Sequence, residues 1–227
     1  LILQQFFVFT FPERHDKMCP YPYFSFLRGH MMDSNFFALI SRMRYIARWG
    51  LMRNALPENI QEHSHMVAVL AHALGVIRRD IFHEPCDVNA LATAALYHDA
   101  SEILTGDLPT PIKYHNAEIM SAYHAVEDLA VQKLLGMLPP ELRATYADVL
   151  AEDKDGDIYS LVKAADKLSA YIKCIEERKA GNNEFLSAEA QTHAALEASP
   201  LPEVQYFLEH FIPAFERDLD ELGAIGQ

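Results

Sequence analysis

The chain has 227 residues, of which half are apolar and 22% are charged, a composition that indicates a soluble globular protein of one ordinary domain. Its formal net charge of −13 excludes a nucleic-acid polymer as the expected partner, because binding to a phosphate backbone requires a basic face. A small anionic substrate is compatible with this net charge if a metal ion and a few basic residues make the electrostatic potential of the site positive. The three cysteines are widely spaced and form neither a disulfide framework nor a zinc-cluster pattern, which favours the cytoplasm.

Residues 1–30 differ from the rest of the chain. They begin with an apolar and aromatic run, Leu1–Phe11, after which prolines interrupt the sequence. The run is too short to span a bilayer as a helix, and it lacks the basic start and the cleavage site of a signal peptide. We expect residues 1–30 to be a poorly structured extension without a part in activity, either upstream or vector-derived sequence. The alternative is an amphiphilic arm that packs on a partner or a membrane surface; the functional domain is expected over residues 31–227.

From Phe36 onward the pattern is helix after helix, without the alternation that marks strands. Apolar residues at helical spacing predict helices over residues 36–46, 59–79, 117–135, 159–179, 184–198 and 204–222, with a further helix that begins at Pro139-Pro140. Prolines predict a rigid loop over residues 106–111 and a kink at Pro213. The sequence therefore predicts an all-α fold, a single helical bundle.

An adjacent His98 and Asp99 lie in an apolar, alanine-rich run that is predicted to be one continuous helix up to Gly106. Glu102 follows His98 by one helical turn, so that an imidazole and two carboxylates are concentrated on neighbouring faces. Buried ionisable groups need a compensating partner, and a divalent cation supplies one for all of them. The run therefore indicates a metal site.

Two further helices each offer a ligand. His63 occupies a core-facing position in the helix over 59–79, and Asp166 lies at the margin of the apolar stripe over 159–179. With His98 and Asp99 they supply two imidazoles and two carboxylates without a thiolate, which suits Mn, Co, Fe, Ni or Zn better than Ca. A lone histidine on an apolar face is more often a core residue than a ligand, so the interpretation depends on all four together.

Hydrolysis of a phosphomonoester at such a metal requires three further groups. Glu102 is placed to manage the proton of the attacking water or of the leaving alkoxide. Arg48 can bind the non-bridging oxygens bidentately. Trp49 and the loop 107–110 are candidates for the wall that recognises the rest of the substrate, because Asp107 can accept hydrogen bonds from hydroxyl groups and an aromatic face can exclude a hydroxyl.

The order His, then His-Asp, then Asp on separate helices resembles the HD-domain metal-dependent phosphohydrolases. The resemblance is closest to the bacterial 5′-deoxynucleotidases of that superfamily, which remove phosphate from deoxyribonucleoside 5′-monophosphates. It is carried by Arg48-Trp49, Glu62-His63-Ser64, Tyr97-His98-Asp99-Ala100-Ser101-Glu102, Asp107-Leu108-Pro109-Thr110-Pro111, Ala165-Asp166 and Ala180-Gly181-Asn182-Asn183-Glu184-Phe185-Leu186. It extends from about Met31 to near the C-terminus.

This resemblance implies a role for each site residue. The implied metal ligands are His63, His98, Asp99 and Asp166; the implied catalytic residues are Glu102 and Arg48; and the implied substrate contacts are Arg48, Trp49, His63, Asp99, Asp107, Leu108, Pro109, Thr110 and Asp166. The resemblance also implies one divalent ion per chain, cobalt, manganese or another borderline transition metal. It further implies that the protein is a homodimer with a small nucleotide as its substrate. It implies no association with a membrane.

Alternatives remain open at this point. Other HD-domain enzymes hydrolyse triphosphates or signalling nucleotides, and a two-iron oxygenase is disfavoured because it needs more histidine ligands. His115 and His124 are the candidates for a second metal, although their spacing favours no such role. A ligand-sensing or partner-binding module with a structural metal is the alternative outside enzymes, but a purely structural site needs neither Glu102 nor Arg48.

Overall fold

The structure is a computed structural model that describes residues 34–113, 115–150 and 156–223, except for the side chains of Thr110 and Pro111. The predicted extension over residues 1–30 lies outside this part of the chain. Within the described ranges the chain is helical and contains no strand, only an isolated antiparallel bridge between Ala47 and Asn59. The prediction of an all-α fold is confirmed. None of the described helices is both long and apolar enough to cross a membrane.

The helices follow one another with short connections. They are α1 (Phe36–Ile40), α2 (Ile60–Asp80), α3 (Val88–Tyr97), α4 (Glu102–Thr105), α5 (Thr110–Lys113), α6 (Ala117–Gly136), α7 (Pro140–Leu150), α8 (Asp157–Lys179), α9 (Leu186–Glu197), α10 (Pro202–His210) and α11 (Ile212–Phe215). Turns of 3₁₀ helix cover Ser41–Tyr45 and Asn183–Phe185.

The centre of the domain is α2, which packs against α3 and α8. Its first turn is capped by Asn59, whose side chain accepts a hydrogen bond from the backbone N–H of Glu62 at 3.0 Å. Gly75 allows α3 to approach, because a Cβ there would lie 2.9 Å from the side chain of Leu91. The shared core includes Val67, Leu70, Leu74, Leu91, Ala95, Leu161, Ala165 and Leu168. Each fully buried leucine contributes about 2 kcal/mol to stability.

A second, smaller core joins α1, α6 and α7 to the turn that follows α3. Its buried members are Phe36, Ala100, Leu134, Leu135, Leu138 and Leu150. Phe36 packs edge-on against Tyr146 with ring centroids 5.0 Å apart. Since Ala100 is fully buried here, this core fixes the turn that carries His98 and Asp99.

The prediction of one continuous helix through His98 and Asp99 is wrong. The helix α3 ends at Tyr97, and tight i→i+3 hydrogen bonds follow, from Ala100 N to Tyr97 O at 2.9 Å and from Glu102 N to Asp99 O at 3.0 Å. Helix propensity favours continuation here, but burial of Ala100 in the second core outweighs it. The tighter turn changes which directions the His98 and Asp99 side chains take.

Three other boundaries also differ from the prediction. The helix predicted over 36–46 tightens into a 3₁₀ helix after Ile40, and the loop predicted over 106–111 gives way to α5 at Thr110. The last helix breaks at Phe211 and ends at Phe215 instead of Leu222. Proline explains the break at Phe211, because Pro213 lacks the N–H that would continue the ladder and is tolerated in the first turn of α11.

The segment between α1 and α2 is fixed at its far end by Glu177 of α8. This carboxylate is fully buried and accepts hydrogen bonds from the backbone N–H groups of Ala55 at 2.8 Å and Leu56 at 3.0 Å. Asn182 and Lys173 also donate to it. Burial by itself would raise the pKa of Glu177, but the donors outweigh burial and lower that pKa to about 2.

We expect Glu177→Gln to destabilise the protein by roughly 2 kcal/mol at pH 7. A carboxyl whose pKa is lower in the folded state contributes stability above its unfolded pKa of about 4.5 and loses it as pH falls toward 2. The difference in unfolding free energy between wild type and variant, measured in urea, should therefore shrink between pH 6 and pH 3. Glu176→Gln, at the exposed neighbouring position, should change stability little; a pH-independent difference for Glu177→Gln would contradict the assignment.

Candidate active site

Three of the predicted ligands meet where α2, the turn after α3 and α8 come together. The candidate ligand atoms of His63, His98 and Asp166 all lie within 4.8 Å of one another, and His63 Nε2 is 3.0 Å from Asp166 Oδ1. His63 is fully buried. This spacing suits one small divalent ion, which takes nitrogen and oxygen ligands at about 2.0–2.2 Å. Neither His115 nor His124 belongs to this cluster.

The hydrogen bonds of the two imidazoles leave their Nε2 atoms available to a cation. His98 Nδ1 donates to the carbonyl of Ala95 at 2.8 Å, so its Nε2 carries a lone pair in the neutral ring. His63 Nδ1 lies 3.2 Å from Ser169 Oγ. Both Nε2 atoms are buried, and each faces a carboxylate oxygen, that of Asp166 at 3.0 Å from His63 and that of Asp99 at 3.1 Å from His98. Imidazole nitrogens that face carboxylates in a desolvated place need positive charge, either a proton on the ring or a shared cation, so the residues fit a divalent metal.

The fourth predicted ligand, Asp99, lies beside the trio without being one of its members. Asp99 Oδ2 is 3.1 Å from His98 Nε2 and 3.6 Å from His63 Nε2, and it accepts a hydrogen bond from Arg48 Nη1 at 3.4 Å. Burial would raise the pKa of Asp99, but His98, His63 and Arg48 outweigh burial and hold that pKa well below its usual range. Asp99 is therefore ionised and links the cluster of candidate metal ligands to a guanidinium.

Glu102 begins α4 and is almost fully buried at the same place. Its Oε2 has no hydrogen-bond partner in the part of the chain that the structure describes. Burial, followed by the neighbouring charges of Asp99 and Asp107, raises the pKa of Glu102 to about 9. A cation at the trio would lower this pKa toward neutrality, which is the range in which a carboxyl can both give and take a proton.

Arg48 and Trp49 follow the 3₁₀ turn after α1, and both side chains bind Glu58. Arg48 Nε and Trp49 Nε1 each donate to Glu58 Oε2 at 3.0 Å. Trp49 has a φ of 58°, a left-handed conformation that costs a non-glycine residue about 1 kcal/mol. Its ring also contacts Phe185, with centroids 5.2 Å apart.

The predicted sugar-side loop lies between α4 and α5. The carboxylate of Asp107 lies near the backbone N–H of Trp49, and burial raises the pKa of Asp107 despite the nearby Arg48. Leu108 and Pro109 follow it, both half-buried. The side chain of Thr110 lies outside the described structure. Asp107 is thereby placed beside Trp49, and the substrate contacts of this loop remain predictions.

Two residues at the site were not predicted from the sequence. Ser169 follows Asp166 by three residues on α8 and contacts His63. Its position one helical turn after a predicted ligand could have identified it as a site residue from the sequence. Glu58 carried no signal, because an acidic residue before a helix cap is usually solvated. Its importance depends on contacts with Arg48 and Trp49 that only the folded chain creates.

Sequence comparison identifies close relatives. The family model described as 5′-deoxynucleotidase YfbR-like matches residues 35–215. The 5′-deoxynucleotidase YfbR of Shigella boydii serotype 18 is 51% identical over 194 residues, which cover 85% of this chain and 98% of the relative. The 5′-deoxynucleotidase YfbR of Escherichia coli strain K12 / DH10B is 50% identical with the same coverage.

Solved structures show the same fold. An HD-domain phosphohydrolase from Listeria innocua superposes with a TM-score of 0.72 at 25% identity, over 82% of this chain and 90% of the other. The HD phosphohydrolase DatZ of cyanophage S-2L, bound to dA and one catalytic Zn²⁺ ion, gives a TM-score of 0.51 at 26% identity, over 81% and 96% of the two chains. The predicted HD-domain fold is confirmed.

We expect Ser169→Ala to weaken metal binding by roughly 10–100-fold, because partners of a ligating imidazole fix its orientation. Affinity for Zn²⁺ or Co²⁺ can be measured by competition with a chromophoric chelator. Ser160→Ala is the matched control, since Ser160 lies on the same helix and its hydroxyl donates to the local carbonyl of Asp157 at 2.8 Å. Equal affinities for wild type and Ser169→Ala would show that Ser169 does not orient His63.

Proposed function

This chain belongs to the YfbR-like family of 5′-deoxynucleotidases, and we propose that it hydrolyses deoxyribonucleoside 5′-monophosphates to a deoxynucleoside and phosphate. It is a phosphoric monoester hydrolase. The observation that carries the proposal is the contact between Arg48 and Asp99, which places a guanidinium at the edge of a cluster able to hold a metal. A phosphoryl group bound there would meet positive charge on two sides.

We assign the metal to His63, His98, Asp99 and Asp166. When bound, the ion would supply Lewis acidity for the phosphoryl oxygens and lower the pKa of a water. The two buried Nε2 atoms that face carboxylate oxygens support this assignment, as does the zinc in the DatZ structure. The mixed nitrogen and oxygen set suits cobalt or manganese equally well, and we propose one such ion per chain.

The remaining steps fall to side chains of this protein. Arg48 binds the non-bridging phosphoryl oxygens and stabilises the charge that develops on them. Glu102 manages the proton that leaves the attacking water and the proton that the leaving 5′-oxygen requires. Asp107 accepts a hydrogen bond from a sugar hydroxyl, and Trp49 with Leu108, Pro109 and Thr110 forms the wall around the deoxyribose. This loop lies beside Trp49, since the carboxylate of Asp107 is near the backbone N–H of Trp49.

We further propose that the enzyme acts in the cytoplasm as a homodimer. Apolar side chains that remain exposed on this chain, such as Val69, Leu129 and Phe211, supply candidate interface area. We assign the activity to residues 31–227, in agreement with the family match over 35–215.

Phosphate release from matched 5′-monophosphates tests the function. We expect the chelated protein to be inactive and to recover on addition of Co²⁺, Mn²⁺ or Zn²⁺, with rapid release from deoxyribose substrates only. Phosphate release from both the deoxyribose and the ribose substrates would support the phosphohydrolase activity and overturn the proposed selectivity for deoxyribose. No release with any metal, from folded protein, would favour another nucleotide or a module that only binds its ligand.

Glu102→Ala should retain its metal and lose turnover by roughly two to four orders of magnitude, as is usual when a general acid or base is removed. Metal content per chain is measured by atomic emission alongside kcat. Loss of the metal in this variant would make Glu102 a ligand instead of a proton-transfer group. Glu62→Ala, at an exposed position on α2, is the matched control.

A further inference from the structure

We propose that Glu58 is the positioning residue that fixes both Arg48 and Trp49 toward the substrate, and that through them it sets the selectivity for 2′-deoxyribose. This inference rests on the proposed function. A single atom, Glu58 Oε2, accepts hydrogen bonds from Arg48 Nε and from Trp49 Nε1, each at 3.0 Å. Glu58 and Arg48 are almost buried, with side chains 16% and 13% exposed, so these charge-assisted bonds are shielded from solvent.

The backbone holds Glu58 in place relative to Arg48. Arg48 N donates to Glu58 O at 3.0 Å, and Ile60 N donates to Ile46 O at 3.0 Å. These bonds pair the segment that leaves the 3₁₀ turn with the segment that enters α2. The carboxylate therefore projects from a fixed point at the base of the intervening loop.

The backbone conformation of Trp49 brings two successive side chains to one carboxylate. Neighbouring side chains in an extended chain point in opposite directions. The left-handed conformation of Trp49, with φ of 58°, removes that alternation, and the shared acceptor of Glu58 compensates for its strain.

Glu58 determines which edge of Arg48 a phosphate can meet. Arg48 Nε is occupied by Glu58, so the bidentate edge that includes Nε is closed to an anion. The terminal nitrogens remain, and Nη1 lies 3.4 Å from Asp99 Oδ2. A phosphoryl group must therefore bind at the terminal nitrogens, next to the candidate metal ligands.

Glu58 also determines how Trp49 can recognise a sugar. The indole N–H is the only hydrogen-bond donor of this side chain, and Glu58 occupies it. Trp49 is thus unable to donate to a ribose hydroxyl and presents only ring carbons, while Phe185 supports the ring at 5.2 Å. A 2′-hydroxyl against these carbons would lose its hydration without gaining a partner, which disfavours ribose.

The loop itself does not depend on Glu58. Its far end is held by Glu177, which accepts the N–H groups of Ala55 and Leu56. Arg53 adds an ion pair with Glu184 at 3.0 Å. Substitution of Glu58 should therefore release the two side chains while leaving the loop anchored.

The test compares Glu58→Ala, Glu58→Gln and the control Glu62→Ala. Glu62 is exposed and lines the same cavity of about 190 Å³ as Glu58, so the control removes one negative charge from the same region. The readouts are kcat and KM for matched deoxyribose and ribose 5′-monophosphates with Co²⁺. Tryptophan fluorescence is a direct second readout, because Trp49 is the single tryptophan of the chain.

In Glu58→Ala we expect the ratio of kcat/KM for deoxyribose over ribose to fall at least about 10-fold, with the loss for the deoxyribose substrate mainly in KM. Trp49 emission should shift to the red and become more sensitive to acrylamide, because water from the cavity reaches the indole. Glu58→Gln should recover part of both effects, since its amide oxygen can accept both donors. Glu62→Ala should behave as wild type.

An unchanged sugar ratio in Glu58→Ala would overturn the proposal, as would a fall of similar size in Glu62→Ala. A changed ratio with unchanged Trp49 fluorescence would also overturn it, because the effect would not pass through the indole. If wild type releases no phosphate from either sugar, the proposed function fails instead. The fluorescence of the three variants then still decides whether Glu58 holds Trp49.

Discussion

Two buried imidazole nitrogens that face carboxylates are the constraint on which the rest of the site depends. His63 and His98 each use Nδ1 inside the fold, which turns both Nε2 atoms toward Asp99 and Asp166. In a desolvated place this arrangement is repulsive unless positive charge lies between the groups. Burial, followed by the charges of Asp99 and Asp107, raises the pKa of Glu102 beside them, and a cation at the cluster would lower it. The geometry is thus preorganised for a divalent ion, and the core around α2 and α8 holds it rigid.

A second constraint is the supply of positive charge to a chain whose net charge is −13. Arg48 is nearly buried among the carboxylates of Glu58, Asp99, Asp166 and Asp107, which raise its pKa although burial opposes this. These acids orient the guanidinium and keep it charged, and they neutralise it when no substrate is present. A phosphoryl group that binds here therefore competes with these carboxylates for the guanidinium of Arg48. The affinity for the phosphoryl group then depends on the metal and Arg48 together.

Sequence patterns were sufficient for the fold class and for the ligand-bearing helices. His63 and Asp166 were assigned to helices because apolar residues recur around them at helical spacing. As expected, His63 lies on α2 and Asp166 lies on α8. The break between α3 and α4 was missed because local propensity favours continuation, whereas Ala100 is required by a core whose other members are distant in sequence. Glu58 was missed for a related reason: its contacts with Arg48 and Trp49 accompany a left-handed Trp49, which no local preference predicts.

The sequence by itself determined that the protein is all-α, that it lies among the HD-domain phosphohydrolases, and which residue types are available to a metal and a phosphate. These properties depend on periodicity and residue order, which are local and readable along the chain. Only the tertiary structure decided how those residues face one another. It placed Asp99 between the imidazoles and Arg48, turned the buried Nε2 atoms toward carboxylates, and closed one edge of the guanidinium with Glu58. Such relations depend on burial and long-range hydrogen bonds, which arise only when distant segments pack together.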